Sequence, residues 1–176
     1  MSPRYDLPKA APEPLRRVQL YLNSENHESG DDWLGTWLAE NGVGREAAAR
    51  KLRPALRELV RGNNGFPVTL EAVAVVDEAA ARLGLGLDPD AGPVVRGAED
   101  ALDEVVAIAL TAMLDGTFGR LKACRNCHWA FYDYSPNRSA AWCSMQLCGN
   151  RRKTRAYRAR RATTPSAASR SISSSE

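Results

Sequence analysis

Four cysteines in two close pairs constrain this chain more than any other feature of its sequence. Cys124 and Cys127 form a C-x2-C pair, and Cys143 and Cys148 form a C-x4-C pair 15 residues further on. Each close pair bends the backbone so that two sulfurs face one point, and four thiolates fill the tetrahedral sphere of a zinc ion. The spacing therefore predicts one structural Zn2+ held by these four residues. Because so small a module has little core, metal binding should supply much of its folding free energy.

The segment between the two pairs has the pattern of a strand followed by a turn. Residues 128–134 alternate in polarity, and residues 135–138 read Ser-Pro-Asn-Arg. We expect a small hairpin here, with Trp129, Phe131 and Trp142 covering the metal.

Three other interpretations of the cysteines compete with structural zinc. Disulfides need an oxidising compartment, and no secretory signal is recognised at the start of the chain. Cys127 followed by His128 completes a C-x-x-C-H haem-attachment pattern, which leaves Cys143 and Cys148 without a role. A catalytic zinc keeps one position open for water, whereas four thiolates close the sphere. A ligand role for His128 is geometrically awkward because it directly follows Cys127.

The charge of the chain is divided unevenly between its two parts. Residues 1–114 hold 12 Lys or Arg and 18 Asp or Glu, a net charge of −6, whereas residues 115–161 hold 11 and 2, a net charge of +9. The segment after Cys148 favours a helix that is basic on all sides and has no apolar stripe to bury. Such a helix can lie along a phosphate backbone or enter a groove. The predicted nucleic-acid contacts are Arg138, Arg151, Arg152, Lys153, Arg155, Tyr157, Arg158, Arg160 and Arg161.

The first 115 residues predict a mainly helical domain with one small hairpin. Helical periodicity is found near residues 15–22, 33–41, 44–61, 69–83 and 98–114. Pro54 is expected to kink or break the third helix. Leu70, Val73 and Val76 are expected to face the core from the fourth helix, and Met113 from the fifth. A turn at residues 88–92 predicts a hairpin whose second strand is short.

A polar loop at residues 23–32 supplies candidates for a ligand site in this domain. The candidate ligand-binding residues are Asn23, Asn26, His27, Trp33 and Trp37. The competing interpretation is that the polar residues are surface caps and that the two tryptophans, four residues apart, are core.

Several classes of function are disfavoured by what the sequence lacks. No run of 18 or more apolar residues predicts a membrane span, and a cytoplasmic location is expected. We find no Gly-rich phosphate loop, nucleophile motif or convincing acid/base pair, so we do not expect an enzyme.

The C-terminal part resembles a known family. The run Cys148-Gly149-Asn150-Arg151, with Trp142 and Cys143 before it, is similar to the CGNR zinc-finger family. The resemblance covers residues 119–161. It implies zinc at the four cysteines, DNA binding by the module and no catalytic residues. It also implies an N-terminal ABATE-like helical domain in a stress-induced bacterial transcription regulator.

These observations combine into one expected organisation, a mainly α (α+β) chain. It comprises a flexible N-terminus (1–13), a helical ABATE-like domain (14–116), a zinc-finger module (117–162) and a disordered tail (163–176). The expected function is zinc-dependent DNA binding in transcription regulation, with the N-terminal domain sensing a small-molecule effector or a partner. The alternatives are a protein-interaction module, in which the basic helix docks on an acidic surface, and RNA binding. A homodimer is a candidate assembly because many DNA readers use symmetric half-sites.

Overall fold

A computed structural model describes residues 9–90 and 92–154. The elements in chain order are α1 (Leu15–Leu22), β1 (Glu25–Asn26), β2 (Asp31–Asp32), α2 (Leu34–Glu40), α3 (Glu46–Gly62), α4 (Leu70–Ala80), β3 (Gly84–Asp88), β4 (Gly92–Arg96), α5 (Ala101–Leu114), a 3-10 turn (Phe118–Arg120), β5 (Leu121–Ala123), β6 (Ala130–Tyr132) and a π-helical turn (Met145–Gly149). Residues 150–154 continue the last turn as a helix. The predicted mainly helical class with small antiparallel hairpins is confirmed.

Helices α1, α3, α4 and α5 enclose the main hydrophobic core. Helix α3 packs on α4 and on α1, and α5 packs on both α1 and α4. Two helix starts are fixed by side chains that accept free backbone N–H groups, which is the usual role of Thr and Asp at these positions. Thr69 accepts from Ala72, and Asp100 accepts from Leu102 and Asp103.

The predicted inward face of α4 is confirmed for Val76 and wrong for Leu70 and Val73. Leu70 is 87% exposed and Val73 is 46% exposed. The helix instead turns Ala72 and Val76 inward, four residues apart on the side that meets α3.

Pro54 does not break α3, which runs unbroken from Glu46 to Gly62. The ring of Pro54 lies on the exposed side, while Leu52 and Leu56 are buried. Packing of the opposite face therefore holds the helix together across the missing backbone hydrogen bond. Met113, expected in the core, is 37% exposed near the end of α5.

The polar loop at residues 23–32 closes as a short antiparallel pair. Asn26 lies opposite Asp31 and Glu25 lies opposite Asp32. The guanidinium of Arg53 on α3 holds the loop, since it donates to both carboxylate oxygens of Asp32 at 2.8 and 3.0 Å and to the Ser24 hydroxyl at 2.9 Å. These bonds hold the pKa of Asp32 at about 2 despite partial burial.

The hairpin β3–β4 forms as predicted but its second strand is not short. Five residues of each strand pair, from Gly84 opposite Arg96 to Asp88 opposite Gly92. Gly92 has a φ of +78°, which suits the tight turn at the start of β4.

The main core does not stop at the end of α5. Five buried apolar residues from the following segment belong to the same cluster: Phe118, Leu121, Ala123, Ala130 and Tyr132. The predicted boundary between residues 116 and 117 stays a prediction, and the packing across it is continuous. Among the described residues, no helix is long and apolar enough to cross a bilayer.

Candidate metal centre

The first cysteine pair lies on a tight turn at the open end of the hairpin β5–β6. Cys124 directly follows β5, and its N–H donates to the Trp129 carbonyl at 2.9 Å. The N–H of His128 donates back to the Cys124 carbonyl at 3.0 Å, and His128 has a φ of +61°. This left-handed residue lets the chain reverse within five residues, so Cys124 and Cys127 point to the same side.

The second pair is carried by the π-helical turn. Ser144 begins the turn: its hydroxyl accepts from the Leu147 N–H at 3.2 Å, and its carbonyl accepts from the N–H of Cys148 at 3.0 Å. Gly149 completes the turn against Met145, whose sulfur would lie 3.0 Å from any Cβ at that position. The wide turn brings Cys148 back beside Cys143.

The four sulfurs converge on one point. All lie within 4.8 Å of one another, and Cys127–Cys143, Cys143–Cys148 and Cys127–Cys148 are 3.6, 3.6 and 3.5 Å apart. Sulfurs bound to one zinc at about 2.3 Å lie about 3.8 Å apart in a tetrahedron. All four cysteines are free of disulfides, which removes the disulfide interpretation in this structure.

The electrostatics of the cluster call for a cation. Hydrogen bonds from Cys127 and Cys143 lower the pKa of Cys124, whereas the same contacts raise the pKa of Cys143 and raise that of Cys127 to about 12. Four thiols this close and this buried cannot all ionise without a compensating charge. A Zn2+ ion supplies that charge, and a four-sulfur donor set is typical of a structural zinc site.

A second hydrophobic cluster seals the sulfurs from water. Trp129 and Phe131 are 3% and 1% exposed within it, and Trp142 packs against its edge, as predicted. The side-chain amide of Asn126 lies 3.7 Å from the Cys148 sulfur and donates to it. The four sulfurs and their apolar cover form a closed site suited to structure rather than catalysis.

A comparison with known families matches the segment that carries the four cysteines. Residues 120–161 match the family model of the CGNR zinc finger. The predicted resemblance is confirmed for the finger, with one structural Zn2+ at the four predicted cysteines. The match spans 42 of 176 residues, and the ABATE-like assignment of the helical part stays a prediction. No curated protein matches the chain.

Two cations of the CGNR finger hold its own backbone. Lys122 is 4% exposed and pairs with the fully buried Asp133 at 2.8 Å. Its ammonium also donates to the carbonyls of Arg138 and Ala140. Arg120 donates to the carbonyls of Asp133 and Ser135 at 2.9 and 3.0 Å.

Asp133 organises the loop that leads back to the second cysteine pair. Its carboxylate accepts from the N–H and hydroxyl of Ser135 and from the Ala140 N–H, at 2.6 to 2.9 Å. Burial opposes ionisation, yet these bonds and Lys122 hold the pKa of Asp133 at about 2. Lys122 and Asp133 therefore fix the path of the chain between the two halves of the metal site.

Side-chain amides attach the finger to the helical body. This role was not predicted from the sequence. Asn23 brackets Ala130, accepting from its N–H at 2.8 Å and donating to its carbonyl at 2.9 Å. Asn63 donates to the carbonyls of Phe118 and Leu121, and Asn64 donates to those of Ala123 and Ala141. A signal existed in Asn63-Asn64, since two amides at a helix end suit backbone capping.

Two arginines also join helix α3 to the turn that carries Cys124 and Cys127. Arg57, 4% exposed, donates to the His128 carbonyl at 3.1 Å and to the Leu22 carbonyl. Burial lowers the pKa of Arg57 to about 10. From the finger side, Arg125 donates to the Asn64 carbonyl at 2.6 and 3.0 Å.

The predicted nucleic-acid residues within the described part lie on the outside of the finger. Arg138 is exposed in the turn after β6, with a φ of +52°. Arg151 pairs with Glu28 at 2.6 Å, Arg152 lies 5.3 Å over the Trp142 ring, and Lys153 is exposed. The other five predicted residues lie outside the described residues: Arg155, Tyr157, Arg158, Arg160 and Arg161.

Several of the predicted ligand residues make contacts within the protein. Asn23 is occupied by Ala130, and Trp37 is buried 4.8 Å from the Tyr21 ring. Asn26 is buried and accepts from the Glu28 N–H, while His27 lies 5.5 Å from the His128 ring. A ligand role for these residues and for Trp33 stays a prediction.

Proposed function

We propose that the CGNR finger binds duplex DNA and that the chain regulates transcription in the cytoplasm. The zinc ion fixes the start of the basic helix, and the cations of that helix contact phosphates. We propose a binding role rather than a catalytic one, because a closed tetrathiolate leaves no metal position for water or substrate.

The observation that carries this proposal is how the cations of the finger divide into two sets. The structural set (Arg120, Lys122 and Arg125) donates hydrogen bonds to backbone carbonyls or to the buried Asp133, although Arg125 itself is exposed. The outward set (Arg138, Arg151, Arg152 and Lys153) is exposed. Structural hydrogen bonds account for the first set. In the second set the Arg151–Glu28 pair at 2.6 Å is partly in solvent and stabilises little, so an anionic partner accounts best for these exposed cations.

The start of the helix is well suited to a duplex. Asn150 to Thr154 are exposed and helical, directly after the buried Cys148 and Gly149. The guanidinium of Arg152 lies over the Trp142 ring, and it has no ion pair with any residue of the described ranges, so its charge is available to a phosphate. Five further predicted contacts follow in the sequence.

A fluorescence titration of the zinc-loaded chain against labelled duplex DNA tests the proposal. Affinity should fall steeply between about 50 and about 200 mM salt because released counterions drive binding. Arg152→Gln with Lys153→Gln should weaken binding and lower the salt slope by up to about two, one for each lost phosphate contact. Arg50→Gln with Lys51→Gln removes the same charge from α3 and should leave the slope unchanged.

Three results would contradict DNA binding. They are an affinity that ignores salt, no binding below about 100 μM, and equal effects of the finger and α3 variants. Tighter binding of single-stranded RNA than of duplex DNA would favour RNA. A protein partner that persists after nuclease treatment would favour the interaction module.

A further inference from the structure

A cleft between α3, α4 and α5 has the features of a small-molecule site. Its volume is about 380 Å3, within the range of about 300 to 1,000 Å3 typical of ligand pockets. Its floor is apolar and includes Leu52 of α3, Val75 of α4, and Leu102 and Val106 of α5. Leu52, Leu102 and Val106 are almost fully buried, so the floor is rigid.

The mouth of the cleft is lined by charged side chains from all three elements. Three cations are present, Arg45, Lys51 and Arg82, together with the carboxylates of Glu78 and Asp103. The two carboxylates differ greatly, since the side chain of Asp103 is 4% exposed and that of Glu78 is 71% exposed. The acid inside the cleft is therefore Asp103, and Glu78 stands in solvent.

The contacts of Asp103 leave it little capacity for a ligand. Its carboxylate lies 2.7 Å from Arg45 and 3.5 Å from Arg82, and it also accepts from the Glu99 N–H at 3.4 Å. Arg45 is held by acids as well, because it also forms a two-point contact with Asp100 at 2.9 and 2.5 Å. Neither residue is placed to hold a ligand.

Arg82 and Lys51 differ from this inner pair. The contacts of Arg82 with Asp103 and Glu99 are 3.5 and 3.7 Å long, so its guanidinium keeps donors for a closer acceptor. Lys51 bonds Glu78 at 2.6 Å through one of its three donors, in an exposed pair that stabilises little. Both side chains are about half exposed at the mouth.

We propose that this cleft binds a small, mainly apolar carboxylate. The guanidinium of Arg82 takes the carboxylate, Lys51 adds a second cation, and the hydrocarbon body lies on the floor. A cationic ligand fits less well, because it would meet three cations and a carboxylate already bound by two arginines. The site is independent of nucleic-acid binding, so either proposal can fail alone.

The position of the cleft gives such a ligand a connection to the finger. Arg45, Lys51 and Leu52 line the cleft at the beginning of α3 and just before it. The later turns of the same helix hold the finger, through Arg57 and through the two amides just after its end. A molecule seated between α3 and its neighbours therefore contacts the element that supports the zinc site.

Calorimetric titration of the zinc-loaded full chain tests the site with three probes of one shape: phenylpropionate, phenylpropionamide and phenylpropylamine. The carboxylate should bind saturably, and the neutral amide should bind at least about tenfold more weakly because it lacks the charge-assisted bond. Arg82→Gln should weaken the carboxylate by a similar factor and leave the amide unchanged. Lys51→Gln should act in the same direction by a smaller factor.

Two control variants make the outcome decisive. Arg50→Gln removes an equal charge from an exposed position of α3 that does not line the cleft, and it should not change binding. Ala79→Phe fills the cleft from α4 and should abolish binding of the carboxylate.

The proposal is overturned if no probe saturates, if the amide or amine binds as well as the carboxylate, or if Arg50→Gln weakens binding as much as Arg82→Gln. The zinc content of every variant is measured. If a variant loses zinc, the test relies on Lys51→Gln instead, because the side chain of Lys51 is exposed.

Discussion

Two of the antiparallel hairpins in the described part of the chain, β3–β4 and β5–β6, contrast in an instructive way. The longer one, β3–β4, pairs five residues per strand, yet Leu85 and Leu87 are 73% and 77% exposed. The shorter one, β5–β6, pairs three residues per strand, and all six are buried. The number of ladder bonds therefore does not decide which hairpin is held firmly, and the surroundings of each do.

The alternation of side chains explains how a six-residue hairpin is buried on both faces. Leu121, Ala123, Ala130 and Tyr132 point into the helical core, while Phe131 points into the cluster around the cysteines. Successive residues of a strand face opposite sides, so the hairpin lies between two hydrophobic clusters and packs against both. The hairpin β3–β4 contacts α5, and its leucines are left in solvent.

Removing zinc should produce the largest difference between the two hairpins. A structural site contributes metal-binding free energy on the order of 10 kcal/mol to folding, and the cluster on one side of β5–β6 depends on it. With a chelator, amide hydrogen exchange should rise by orders of magnitude in β5–β6 and change little in β3–β4.

Readdition of zinc should restore the slow exchange, and readdition of magnesium should not, because magnesium prefers oxygen ligands. An equal acceleration of amide hydrogen exchange in both hairpins would mean that the metal stabilises the whole chain and not β5–β6 alone.

Breaking the buried ion pair should have the next largest effect. Lys122→Met leaves the fully buried Asp133 without its cation, and such a change costs about 3 to 5 kcal/mol. Lys51→Met removes an exposed partner of Glu78 and should cost less than about 1 kcal/mol. Denaturant unfolding with zinc in excess measures both.

A small effect of Lys122→Met would show that the loop tolerates a protonated Asp133. The conservative variant Lys122→Arg should then be no better than Lys122→Met, whereas the ion-pair argument expects partial rescue.

Leucine truncation compares the two hairpins directly. Leu121→Ala in β5 removes a fully buried side chain and should cost about 2 to 5 kcal/mol. Leu85→Ala in β3 removes a side chain that is 73% exposed and should stay within about 0.5 kcal/mol. Unfolding free energies from the same denaturant series test the difference, and similar costs would indicate that β3–β4 is covered in solution.

The metal site could be predicted from sequence because its information is local. Two close cysteine pairs specify a sulfur cluster whatever the remainder of the chain does, and the hairpin β3–β4 carries a turn signal between alternating residues. The hairpin β5–β6 was predicted only in part, because it turns at the first cysteine pair and not at residues 135–138. The inward face of α4 could be predicted only in part, because Leu70 and Val73 are as apolar as the correctly predicted Val76 and only the neighbouring helix decides which side is buried. The bond between Asn23 and Ala130 joins residues 107 positions apart, and no local pattern encodes such a partner.

The smallest expected effect concerns the outer face of the finger, where the contact with the helical body is exposed. Arg151 pairs with Glu28 at 2.6 Å, and both side chains are partly in solvent, so the pair contributes at most about 1 kcal/mol. If Arg151 contacts phosphate, Glu28 competes with DNA, and Glu28→Gln should tighten duplex binding by up to about fivefold at low salt. Glu71→Gln, an equal change on α4, should leave the affinity unchanged in the same titration. Weaker binding by Glu28→Gln would reverse the argument, because the acid would then be holding the first turn of the basic helix in its binding position. Both outcomes distinguish this exposed contact from the buried amides that join the finger to α3 on its inner side.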